Sequence, residues 1–162
     1  MQLAEWFRWL HSTGLVVGIR QSDIWFPLIE GTHILALSFS VGFVLMLDLR
    51  LLGVSFAAVR VSRIMESVMK WALPGFALMF FTGLLLFVAQ ADKAWINSYF
   101  QAKMLLLIAL GANALYYQKR FFPAMDQWNA TGVPRGAAVI GGISLVLWSA
   151  VIALGGLMAY EL

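Results

Sequence analysis

Residues 24–47 read IWFPLIEGTHILALSFSVGFVLML, an apolar stretch of 24 residues that contains one glutamate and one histidine. A transmembrane helix needs about 20 predominantly apolar residues to cross a hydrocarbon core of about 30 Å. Ser22 and Asp23 precede the stretch and can cap a helix that takes Pro27 in its first turn. The stretch therefore predicts a transmembrane helix over residues 24–50.

Three further apolar stretches follow. They predict spans over residues 71–89, 99–118 and 136–159, and a kink near Pro74 and Gly75 in the second. Overall, 62% of the 162 residues are apolar and 12% are charged, whereas a soluble domain has about 45–50% and about 25%. We therefore expect one all-α membrane domain over residues 1–162, in which four transmembrane helices form an antiparallel bundle.

The first 20 residues have a different pattern. Apolar side chains recur at helical spacing in this segment, while charged residues occupy the other faces, which predicts an amphipathic helix that lies in the membrane interface over residues 1–20. Because Glu5, Arg8 and His11 interrupt any apolar core, the segment is not expected to be a cleaved signal peptide.

The basic residues predict the orientation. Seven of them fall in or beside the two connections that share one side of the membrane: Arg50, Arg60, Arg63, Lys70, Lys119, Arg120 and Arg135. By the positive-inside rule these connections are cytoplasmic and both termini are extracytoplasmic. The lipid bilayer is then the main partner. The net charge of +3 is too small and dispersed to predict nucleic-acid binding.

Three ionisable residues inside the predicted spans are candidates for function, because such groups are costly in a bilayer. They are Glu30 and His33 in the first span and Lys103 in the third. His33 lies about 14 Å into its helix, at 1.5 Å per residue, and Lys103 enters from the same side. Ser40 and Asp48 fall within about 60° of His33 on a helical projection, so this polar face is expected to point into the bundle.

Each candidate has two interpretations. His33 is an axial haem ligand or another metal ligand, or it is a hydrogen-bonded histidine that packs between helices. Glu30 orients the imidazole or carries a proton, or it is hydrated at the interface. Lys103 binds a haem propionate or another anion, or it extends to the headgroups. His11 is a weaker candidate for a second ligand, and Asp48 with Arg50 is expected to form a local salt bridge or headgroup contact.

Other residue types narrow the chemistry. The chain has no cysteine, so thiolate chemistry is excluded, and its eight methionines show no M-x-M or M-x-x-M spacing typical of copper sites. Any redox chemistry therefore needs a bound cofactor. Small residues recur at four-residue spacing in the fourth span and cluster in the third, which predicts close helix packing within the bundle or between the copies of a homo-oligomer.

Several short motifs carry a resemblance to a known family: His33, Gly42, the run Asp48–Gly53 (DLRLLG), Thr82-Gly83 with Phe87, and Phe100–Lys103 (FQAK). The series resembles an uncharacterised family of bacterial inner-membrane proteins with four spans. It is more distantly similar to the four-helix membrane protoporphyrinogen oxidase and to the membrane domain of copper-resistance proteins. The oxidase resemblance implies that His33 and Lys103 form a haem-associated pair, and the family implies the bacterial inner membrane.

Three functional hypotheses follow. The first is a membrane protein that binds haem b and moves electrons between an extracytoplasmic redox protein and quinone or another haem protein. The second is a copper-handling or copper-sensing membrane component, and the third is a structural subunit without a cofactor. None of them specifies a reaction or a substrate.

Overall fold

The computed structural model describes residues 12–128 and 132–160, and within these ranges every regular element is helical. We number the helices α1 (Gly14–Arg20), α2 (Trp25–Leu51), α3 (Val61–Ala89), α4 (Ala91–Ala94), α5 (Ser98–Arg120) and α6 (Arg135–Ala159). A turn of 3-10 helix covers Phe122–Gln127. Helices α2, α3, α5 and α6 are long and apolar enough to cross a membrane. The prediction of an all-α protein with four spans is confirmed.

The four long helices pack as a bundle. Helix α2 contacts α3 and α6, and α5 packs along α6. We call the end where α2 and α5 finish and α3 and α6 begin the basic end, because the seven basic residues named above lie there. The opposite end is the α1 end, where the short helices α1 and α4 are found.

Large apolar side chains cover the outside of the bundle, and polar ones are found inside it. Phe80 is 75% exposed and Leu105 is 68% exposed, whereas Ser40, Asp48, Thr82 and Ser144 are buried. Water would make such an apolar surface unfavourable, since burying apolar area is the main driving force for folding in water. The surface therefore suits a lipid bilayer.

Two apolar clusters hold the helices together. The cluster at the basic end includes Leu47, Leu51, Ile64, Tyr117, Trp128 and Ala137. The second lies deeper in the bundle and joins Val41 of α2, Leu110 of α5, and Trp148 and Val151 of α6. The Trp148 ring also stacks on Phe76 of α3, with 5.5 Å between the ring centroids. All four long helices therefore share a packed interior.

Local capping explains where two helices begin. The Ser22 hydroxyl accepts hydrogen bonds from the backbone N–H groups of Ile24 and Trp25, at 3.3 and 3.0 Å, as expected for a capping residue. The Asn97 side chain accepts one from Phe100 N–H at 3.0 Å at the start of α5. The bounds of α2, α5 and α6 lie within two residues of the predicted spans.

Helix α3 is longer than the second predicted span. It begins at Val61, ten residues before residue 71. Val61, Ile64 and Val68 are buried, whereas Arg63 and Glu66 are exposed. The charged residues that indicated a connection are thus one face of an amphipathic helical extension.

The interior of α3 contains an irregular turn. A π-helical turn covers Val68–Ala72 and ends two residues before Pro74. Proline has no N–H to donate to the preceding turn, and π-bulges are one of the recognised ways in which a helix accommodates such a break. The structural irregularity therefore occurs where the sequence predicted a kink.

The predicted interfacial helix over residues 1–20 lies mostly outside the described residues, since the structure describes the chain from residue 12 onward in this region. Within it, Gly14–Arg20 forms α1, which packs against α2 and α3 and buries Val16. His11 also lies outside the described residues.

Candidate functional site

His33 of α2 is hydrogen-bonded to α3 through one ring nitrogen. Its Nδ1 lies 2.9 Å from the carbonyl oxygen of Met79 and 3.1 Å from the hydroxyl oxygen of Thr82. A carbonyl oxygen only accepts, so this network assigns the ring hydrogen to Nδ1. The Thr82 hydroxyl donates its own hydrogen to the Leu78 carbonyl at 2.8 Å. The lone pair of the neutral imidazole is therefore on Nε2.

A glycine lets the ring approach α3. The position that a Cβ atom would take on Gly83 is 2.9 Å from His33 Cε1 and 3.4 Å from Nδ1. Carbon atoms at optimal separation are about 3.5–4.0 Å apart, so any side chain at this position would displace the ring. Thr82 and Gly83 thus act together: the hydroxyl fixes the orientation of the imidazole, and the missing side chain leaves room for it.

Lys103 of α5 lies at the same end of the bundle. Its Nζ is 3.6 Å from the position that a Cβ would take on Gly155 of α6. The charges of Lys103 and Glu30 both act on the His33 ring. The three residues that the sequence singled out are therefore close enough for their charges to interact, although Glu30 is exposed and His33 and Lys103 are partly buried.

An aromatic pair lies near these residues. Phe87 of α3 and Phe100 of α5 stack with 5.2 Å between their centroids and 9° between their planes. Both residues were noted only as parts of motifs, because a contact between two separate helices leaves no periodic signal in one sequence. The pair joins α3 to α5 within one turn of Lys103, at the α1 end.

A second polar site lies at the basic end. The Asp48 side chain is only 3% exposed, and Ser144 of α6 hydrogen-bonds to its carboxyl group. Its Oδ2 atom is buried and has no hydrogen-bond partner among the described residues. Arg50 instead donates from Nε to the Val59 carbonyl at 2.8 Å. The prediction that Asp48 forms a salt bridge with Arg50 or contacts headgroups is therefore wrong.

Close helix packing explains this burial. A Cβ on Gly141 of α6 would lie 3.3 Å from the backbone oxygen of Asp48, so the two helices meet there. Tyr117 of α5 is also buried, interacts electrostatically with Asp48, and places its hydroxyl 3.8 Å from the sulfur of Met125. The signal that could have found the site is the polar face of α2, which includes Asp48.

Ser40 continues that face between the two sites. It is fully buried, and its hydroxyl has no hydrogen-bond partner among the described residues. A Cβ on Gly75 of α3 would clash with the Ser40 hydroxyl, so a side chain at this position would force that hydroxyl to move. The prediction that the polar face of α2 points into the bundle holds for Ser40 and Asp48, while Glu30 stays exposed.

Comparison with known proteins places the chain in a family. The model of a family of unknown function (DUF6644) matches residues 6–161. The chain belongs to this family. No curated protein and no solved structure matches it, and no similarity to haem-binding or copper-resistance families is found. The match includes both polar sites, so each lies within the part of the chain that the DUF6644 model describes.

Proposed function

We propose that this protein binds haem b in the membrane and transfers electrons, with His33 as an axial ligand of the iron. The observation that carries the proposal is the double hydrogen bond of Nδ1 to Met79 and Thr82, which leaves Nε2 as the nitrogen with a lone pair. Histidines that bind metals commonly donate their other N–H to a carbonyl or carboxylate, which fixes both tautomer and ring orientation.

The set of side chains suits haem better than a single metal ion. Among residues 12–128 and 132–160, no group of three His, Cys, Asp or Glu side chains could hold a metal. A haem iron needs only axial ligands from the protein, because the porphyrin supplies four nitrogens. When bound, haem supplies one-electron chemistry that no side chain of this chain provides.

Lys103 gives the site a positive charge in a low-dielectric environment. Its ammonium group is partly buried between α5 and α6 and acts electrostatically on His33. An uncompensated charge inside a bilayer is costly, so a negatively charged partner is favoured there. In our proposal that partner is a propionate of haem. Glu30 is exposed at the same end and is proposed to influence the site through water.

The distribution of basic residues supports an orientation. We propose that the basic end faces the cytoplasm of a bacterium and that the His33 site lies in the outer half of the inner membrane. Electron partners reaching it would be quinone in the bilayer or an extracytoplasmic redox protein. The α1 end, with its exposed Trp25 and Trp95, would then lie at the outer interface.

The deciding experiment is the absorption spectrum of protein purified after expression with added haem. We expect a Soret band in the wild type and its loss or sharp reduction in His33→Ala, and the same measurement on His11→Ala tests the weaker candidate for a second ligand. His33→Ala with the wild-type spectrum and haem content would overturn the proposal. Stoichiometric copper without haem would favour a copper-handling protein, and a colourless, metal-free preparation a structural subunit.

Lys103 is tested separately from the ligand. Lys103→Ala should leave iron ligation intact but weaken haem retention or shift the reduction potential. Lys103→Arg should preserve most of the wild-type behaviour, because the charge is kept while the geometry of its hydrogen bonds changes. Equal losses in both variants would point to packing of the side chain rather than its charge.

A further inference from the structure

The Asp48 carboxyl group combines deep burial with an unused hydrogen-bonding position. It lies about 5 Å inside the end of α2, at 1.5 Å per residue, and is 3% exposed. Ser144 hydrogen-bonds to the carboxyl group, while Oδ2 has no partner among the described residues. Buried polar groups in native proteins are usually satisfied, so an unpartnered carboxyl oxygen needs an explanation.

Among the residues that the structure describes, the groups around Asp48 provide no fixed positive charge. On its own helix, Arg50 is held by the Val59 carbonyl. The group facing it from α5 is the Tyr117 hydroxyl, and the group from α6 is the Ser144 hydroxyl. The remaining charged side chains of this end on α3, α5 and α6 are exposed: Arg63, Glu66, Lys70, Lys119, Arg120 and Arg135.

A charged carboxylate in this position would be both unpaired and desolvated, which is strongly unfavourable in a protein interior. A proton on Oδ2 removes the charge without needing any additional side chain. We propose that Asp48 is a proton-binding site that takes up and releases a proton from the basic end of the bundle. In uptake, a hydronium ion or a buffer acid gives its proton to Oδ2, and water or the conjugate base remains.

The site has a short route to the aqueous phase. Asp48 lies three residues before the end of α2, and Tyr117 lies three residues before the end of α5. One turn of each helix therefore separates the carboxyl group from the connections at the basic end. By contrast, His33 is 15 residues away on α2. The proposal therefore stands whether or not the protein binds haem.

Infrared spectroscopy of the full-length protein in liposomes tests the proposal. We expect the carbonyl stretching band of a protonated carboxylic acid at neutral pH, a reversible loss of this band on alkalinisation, and a shift to lower frequency in heavy water. Aspartate labelled with heavy carbon at its carboxyl group should move the band, which separates it from glutamates and from a bound cofactor. Asp48→Asn should remove it.

Glu66→Gln is the matched control, because it removes an exposed carboxyl group at the same end and should leave the band unchanged. Ser144→Ala should keep the band but raise its frequency, since the carbonyl loses a hydrogen bond. This variant also assigns the band if Asp48→Asn does not fold. The proposal is overturned if the wild type has no such band, if the band survives in Asp48→Asn or ignores Ser144→Ala, or if it responds to neither alkali nor heavy water.

Discussion

The two polar sites on α2 differ in what they lack. They are about 22 Å apart along the helix, at 1.5 Å per residue. At His33 the N–H has two acceptors, the ring is only partly buried, and the lone pair lies on Nε2. At Asp48 the side chain is almost completely buried and one oxygen has no partner. In our proposals, haem completes the first site and a proton completes the second.

The largest effect is expected in cysteine labelling, which shows on which side of the membrane each end of the bundle lies. The chain has no cysteine, so an introduced one is unique. Asp23→Cys, at the α1 end, should react with a membrane-impermeant maleimide in intact spheroplasts. Gln127→Cys, at the basic end, should react only after the membrane is permeabilised. Equal labelling of both would contradict the proposed orientation, and the reverse pattern would also place the sites in the opposite halves of the membrane.

A smaller effect, on stability and haem retention, should distinguish a glycine that the His33 site requires from a glycine that it does not require. Gly83→Ala places a Cβ 2.9 Å from His33 Cε1, so the ring must move away from its acceptors. We expect a loss of about 1–3 kcal/mol in stability, typical of overpacking, with reduced haem retention. Thermal unfolding in detergent and the Soret absorbance measure the two effects.

Gly111→Ala is the control for that substitution. It lies in the interior of helix α5, where a Cβ meets no atom within 4 Å, so the stability of this variant should be unchanged or rise by up to about 1 kcal/mol, because alanine is the better helix former. Similar losses in the two variants would mean that His33 is not held against α3 as described, and the contrast between an organised site and an incomplete one would disappear.

The smallest effect should come from the Thr82 hydroxyl. Thr82→Val removes one acceptor of His33 Nδ1 but leaves the Met79 carbonyl at 2.9 Å. The expected loss is about 0.5–1.5 kcal/mol, the usual net value of a single hydrogen bond. Thr32→Val is matched to it, since within the described part of the chain the Thr32 hydroxyl bonds only to Leu28 O of its own helix. A larger loss in Thr32→Val would show that the Thr82 contact adds nothing to the site.

The four spans were predictable because the thickness of a bilayer imposes a minimum length of apolar sequence. The start of α3 was not predictable in the same way. Arg63 and Glu66 lie on its exposed polar face, and the buried apolar face opposite them is recognised only in the packed helix. His33 and Lys103 were predicted at a similar depth from their positions along their helices. Their contacts depend on the rotation of each helix about its axis, so neither Met79 nor Gly155 could be assigned from the sequence.

Asp48 was misjudged for a related reason. Its position near the end of an apolar run suggested contact with headgroups, but α6 covers it by packing closely at Gly141. Small residues in the fourth span predicted close packing without identifying the partner helix. The polar face of α2 was calculated correctly, and combining it with those small residues would have indicated the second site.

The π-helical turn at Val68–Ala72 rotates the part of α3 that follows it relative to the part that precedes it. One additional residue in a helical turn changes the phase of everything beyond it by about 100°. Ile64 and Thr82 are 18 residues apart, which in a regular α-helix is five full turns and would place them on the same face. The π-helical turn rotates the face that presents Met79 and Thr82 to His33 away from the face that presents Ile64 to the cluster at the basic end. The length of α3 in residues, and not only its composition, thus determines which side chains face α2, and a deletion of one residue there would turn the acceptors of His33 away from the ring.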